Sequence, residues 1–325
     1  MNIKKPFLIT GGCSFSQSEM IRPVNFQSSD GPAFDASSYD VTSSKYLQKK
    51  KLKVDSDTYA DYGVWPDYLC EKLRYTPWNT GHGASGNKLI FKRVMRSVYF
   101  LLNSDIDPKM INVAVMWSQP ERIDLFCNPE FKYFKECRIR EKGPRELIDE
   151  LTHITLQNSQ PDELRKRGYL RSGGTGIFDI PPIRQYYYNL YTFEEQMINT
   201  FEYILNLQNF LKLNNIKYFF TTYQNIFNEY NKKDDPKWKG DTTPINQNWN
   251  SREKPLWSEV YPEIDYLWKS IDLDNFIFHT NEKHNFGGLG EFTVDNKYNF
   301  NEGHPSSESH SEFVNNVLLK NLDWE

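Results

Sequence analysis

Apolar residues along this 325-residue chain fall into two alternating patterns: short continuous runs, and longer stretches with helical spacing. The runs at 6–10 (PFLIT), 75–78, 111–117 (INVAVMW) and 216–222 (IKYFFTT) predict strands, and near-continuous apolarity is what a parallel sheet buried on both faces requires. A last strand or turn is expected at 276–279. Helical spacing occurs at 65–73, where Pro66 suits a first turn and Trp65, Tyr68, Leu69 and Leu73 share a face. It recurs at 87–102 through Leu89, Ile90, Val94, Val98 and Leu101, and at 192–213 through Met197, Phe201, Ile204 and Leu211. A final helix is expected over 306–322, carrying Phe313, Val314, Val317 and Leu318, whereas 287–290 (GGLG) reads as a turn.

Strands alternating with helices predict an α/β fold with a mostly parallel sheet and helices on both faces. Three polar stretches without a sustained period, near 18–61, 127–188 and 228–254, read as long insertions into a single domain spanning 1–325. A short helix near 146–156 does not set the second apart as a domain. The insertions offer surface for a lid or for a protein partner. Ligands in such folds sit beyond the carboxyl ends of the strands, so the loops beginning at Gly12, Gly81 and Ser118 should converge there.

Composition narrows the function classes. With 38% hydrophobic and 15% aromatic residues the chain can bury a core, while a net charge of −4 without a strong basic patch argues against nucleic acid. The cluster Lys49, Lys50, Lys51 and Lys53 lies in a polar stretch and reads as a solvated loop. Four cysteines without a CxxC pair do not form a disulfide framework, and the N-terminal apolar run is too short for a signal peptide. No run approaches a membrane span. The expected location is cytoplasmic when made, and no metal or nucleotide cofactor is expected, since no Walker loop or GxGxxG follows the first strand and His279, Glu282 and His284 lack metal-ligand spacing.

The candidate chemistry begins at 11–17 (GGCSFSQ), where Ser14 follows a strand in a tight turn and the next backbone amides can face an anion. A serine hydroxyl needs a base within hydrogen-bond reach. His304, in 300–306 (FNEGHPS), is held by Pro305 and the following helix and supplies one. Taken separately, the first is also an ordinary turn and the second a surface histidine. His310, six residues on, is expected to be structural.

Together with the glycine loop at 79–86 (NTGHGASG), these segments resemble, in order, the first, second and last motif blocks of the SGNH (GDSL-type) serine hydrolases. The resemblance implies a three-layer, flavodoxin-like fold, Ser14 as nucleophile and His304 as base. The family's usual Asp in the first block is Cys13 here, and GCSFS-like openings occur among divergent, often phage-encoded, members. Its Asp three residues before the histidine is Asn301, so Asn301 or, with charge, Glu302 is left to orient the imidazole. The third block is the poorest match, reading WSQPER at 117–122. Asn87 is the substitute expected for its asparagine as an oxyanion donor, beside the amides of Ser14 and of Gly83 or Gly86, with a helix N-cap as its other reading. Ser118, Arg122 and His82 are candidates to contact substrate, Arg122 for an anionic one, although a surface salt bridge and a solvated loop are the alternatives for Arg122 and His82.

The implied activity is ester hydrolysis. Polar, aromatic-rich loops favour an acetyl ester of a carbohydrate over a long lipid. The competing expectation is a scaffold without turnover, such as a glycan-recognising virion component, which the missing Asp favours.

Overall fold

The computed structural model describes residues 5–16, 63–81, 85–120, 122, 124–125, 170–171, 185–186, 189–227, 265–282, 284–301 and 304–324. Strand β1 (Phe7–Gly11) runs into a 3-10 turn, Ser14–Ser16, and is followed by α1 (Trp65–Leu73), β2 (Thr76–Asn79), α2 (Asn87–Asn103) and β3 (Ile111–Trp117). A short antiparallel pair, β4 (Asp124–Leu125) with β5 (Leu170–Arg171), precedes α3 (Phe193–Leu213) and β6 (Lys217–Thr222). Then come α4 (Asp265–Ser270), α5 (Leu289–Asp295), the two-residue strands β7 (Phe300–Asn301) and β8 (His304–Pro305), and α6 (Ser307–Phe313), which continues as a π-helical segment, Val314–Leu318.

Four strands form one parallel sheet in the order β2-β1-β3-β6. Because side chains alternate across a strand, each strand feeds two cores. Phe7, Ile9, Val113, Val115, Trp117 and Phe220 meet Ile90, Val94 and Val98 of α2 and Phe201, Ile204 and Leu207 of α3 on one face. Leu8, Ala114, Met116 and Phe219 meet Trp65 and Leu69 of α1, Leu289 and Phe292 of α5, and Phe313 and Val317 on the other. The chain is therefore α/β, with helices on both faces of the sheet. At about 1.5–3 kcal/mol for each large apolar side chain fully buried, the two interfaces supply the main favourable contribution to folding.

One reading changes. Residues 287–290 are not a simple turn: Gly288 caps α5, whose buried Glu291 accepts the Gly288 N–H at 2.8 Å, so the helix begins inside the glycine run. Among the described residues the segment at 276–279, expected as a last strand or turn, meets the sheet through an isolated parallel bridge from Phe276 to Phe220. Nearly all of the three insertions, and the short helix near 146–156, lie outside the described residues. Among the described residues no helix is long and apolar enough to cross a membrane, and Cys13 and Cys70 are buried and unpaired.

All four strands end at one edge. After β1 the chain moves to β2 on one side, and after β2 it crosses back to β3 on the other, so the sheet's switch point lies between the carboxyl ends of β1 and β3. The Ser14 turn leaves the first of these strands and Ser118 follows the second.

Candidate active site

Local geometry fixes the turn that carries Ser14. The Ser16 N–H closes it onto the Cys13 carbonyl at 2.9 Å, and buried Ser16 is held from two elements. Its hydroxyl accepts the Trp65 indole N–H of α1 at 2.8 Å, and its carbonyl accepts the Asn79 amide of β2 at 2.8 Å. Gly81 packs so closely that a Cβ there would collide with the Ser16 carbonyl. Gly12 lies against the Ser16 side chain, where a Cβ would have no room either. Glycines are needed at both positions for close backbone approach, which is why the first and second motif segments contain them.

Phe15, the residue after Ser14, is where the other segments meet. It stacks on Tyr223, just past β6, with ring centres 3.4 Å apart and planes within 4°. The His304 ring centre lies 4.9 Å from it, and the Arg122 guanidinium carbon 5.7 Å from it. Burial, above all, pushes the Tyr223 phenol well above its ordinary range, so it stays neutral. Segments distant in sequence are thus gathered around one ring, with His304 on the exposed side.

His304 stands in the β7/β8 ribbon with Asn301 directly opposite it in the register. His310, on α6, is buried, and its Nδ1 accepts the Trp65 backbone N–H at 3.2 Å. Burial, reinforced by the neighbouring His304, pushes its pKa down to about 3, so His310 is neutral and anchors the start of α1. Glu302, His82 and Gly83 lie outside the described residues.

Two expected oxyanion donors are already engaged. The Asn87 amide gives its protons to the Ser118 carbonyl at 2.9 Å and to Thr200 Oγ1 at 3.1 Å, while its oxygen accepts the Ser118 N–H at 2.8 Å. It clamps the end of β3 to α2 and α3, and neither oxyanion donor nor N-cap describes it, since Gly86 is the cap. The Gly86 N–H is taken by Asp124 Oδ1 at 3.1 Å. Ser118 is buried, with both backbone groups bound by Asn87.

Asp124, absent from the sequence candidates, caps α2 across space by accepting both Gly86 N–H and Leu89 N–H. Burial outweighs those bonds and the charges of Arg93 and Lys88, raising its pKa to about 6. Glu291 accepts from Asn225 and Gly288 and is raised by burial to about 7. Tyr223 and the hydrogen-bonded pair Gln119 and Gln224 were also missed. A signal existed for the last three, because each immediately follows a predicted strand or its Ser118 end on the same edge as Ser14. Asp124 and Glu291 carried none, since their role depends on amides contributed by other segments.

Asp295 gathers His279 at 3.0 Å, His284 at 3.4 Å and Asn281 at 2.6 Å. Partial burial alone would raise its pKa, but the hydrogen bonds to His279 and Asn281, with the charges of the two histidines, hold it below the usual range. Among the described residues no group of three or more His, Cys, Asp or Glu side chains is arranged to hold a metal ion. Comparison with family models, with curated proteins and with solved structures finds no match to the chain.

Proposed function

We propose that the protein is a serine esterase with the SGNH fold and arrangement, acting on acyl esters, with acetylated carbohydrates as the substrate class. The observation that carries the reading is the His304 ring lying 4.9 Å from Phe15, the residue next to Ser14, at the sheet's carboxyl edge. In this mechanism Ser14 Oγ attacks the ester carbonyl and His304 takes its proton, then returns it to the departing alcohol. Water, activated by the same imidazole, releases the acid and regenerates Ser14. Asn301, the register partner of His304, orients the imidazole, with Glu302 as the alternative. The oxyanion is received by the backbone N–H groups of Ser14 and Gly83, since the Gly86 N–H and the Asn87 side-chain amide are engaged elsewhere; one such donor is worth about 3 kcal/mol in the transition state.

That engagement also favours a second reading, a glycan-binding scaffold without turnover, consistent with Asn301 where the family has Asp. Hydrolysis of p-nitrophenyl acetate separates the two. The esterase reading expects turnover that is abolished by Ser14→Ala and by His304→Ala in variants shown to be folded. Turnover indifferent to Ser14→Ala, or none with any ester, refutes it and leaves the scaffold.

A further inference from the structure

Arg122 is held at the candidate site by features that do not satisfy its charge. Its guanidinium lies 5.7 Å from the centre of the Phe15 ring that also meets His304, and its backbone N–H is tied to Gln119. Its Nη1 is fully buried and, among the described residues, has no hydrogen-bond partner. Two buried carboxylates stand near the same edge, yet Asp124 is engaged by the amides of Gly86 and Leu89, and Glu291 by those of Asn225 and Gly288. Neither forms an ion pair with Arg122 among the described residues. A buried charged donor left unmatched is unfavourable, and such groups persist where they serve a ligand.

We propose that the ester bound beside Ser14 and His304 carries a carboxylate, and that Arg122 is the residue that binds it. The proposal rests on the esterase reading above and narrows its substrate class to acylated acidic sugars of the hexuronate kind. A planar carboxylate matches the guanidinium fork, supplies the acceptor that Nη1 lacks, and leaves the cation's contact with Phe15 intact. Because the same ring meets the imidazole, binding of the carboxylate sets the distance of the scissile ester from His304. Arg122 is therefore a specificity-determining residue, and a neutral sugar ester lacks its contact.

The test pairs an O-acetylated methyl galacturonoside with its C6 methyl ester, which differ by one charge. Wild-type protein should prefer the acid by roughly 10- to 100-fold in kcat/KM, the range expected of a charge-assisted pair. In Arg122→Gln that ratio should fall towards one, mainly through KM for the acid, and Arg122→Lys should restore part of it. A wild-type ratio near one, or a ratio unchanged in Arg122→Gln, overturns the proposal. A measurement without variants guards against misfolding: galacturonate should inhibit p-nitrophenyl acetate hydrolysis where galactose does not, and equal inhibition or none counts against the site. Inhibition by inorganic phosphate stronger than by galacturonate reassigns the anion and overturns the carboxylate. If p-nitrophenyl acetate is not cleaved, the esterase reading fails by itself. Calorimetry with galacturonate and galactose then decides the anion site, which Arg122-dependent binding of the acid alone supports and absence of binding refutes.

Discussion

Lowering the pH from 7.5 to 5 should weaken the joint between α6 and α1, and His310→Asn isolates the effect. The His310 Nδ1 accepts the Trp65 N–H inside the core, a role that a protonated imidazole, with donors on both nitrogens, cannot fill. Burial and the nearby His304 lower its pKa from 6.5 to about 3. The unfolded chain therefore takes up a proton near pH 6.5 that the folded chain refuses, so the stabilisation is complete above that pH and is lost as pH falls. At pH 5 the separation from the unfolded value is about 1.5 pH units, or about 2 kcal/mol. Asn places an acceptor near the same spot and does not titrate. Urea unfolding of both proteins at the two pH values measures the gap between them, which should shift by about 2 kcal/mol in favour of His310→Asn on acidification. A gap independent of pH would mean that His310 is charged in the fold or solvated, and the account of this joint would fall.

Asp124 should act with the opposite sign. Its folded pKa of about 6 exceeds the ordinary 3.8, so stability fully present below pH 3.8 is lost as pH rises through 6, by about 3 kcal/mol. Calorimetric melting from pH 4 to 8 should show that slope in wild type, relative to Asp124→Asn; parallel profiles refute it. Trp65→Phe removes the donor to Ser16 Oγ, and should cost about 1–3 kcal/mol in urea unfolding. If Ser14 is the nucleophile, the same variant should lower kcat for p-nitrophenyl acetate more than it raises KM, because it loosens the turn and removes no group that touches substrate; an unchanged kcat counts against that link.

Burial on both faces demands apolar runs, so β1, β3 and β6 were readable as strands, and the 3.6-residue period marked α1, α2 and α3 close to their ends. Chain order also put Ser14, the glycine loop and Ser118 at one sheet edge, since parallel strands all point the same way. What sequence could not decide was which polar groups bind one another. Asn87 read as an oxyanion donor or a helix N-cap, but the groups it satisfies belong to Ser118 and Thr200, 31 and 113 residues away. Gly86 looked free until Asp124 arrived across space, and Arg122 was divided between an anionic substrate and a surface salt bridge until the fold laid it near Phe15. Periodic burial is a property of each segment and is written locally; pairing of buried donors and acceptors depends on distances between segments, and only the packed tertiary structure sets those.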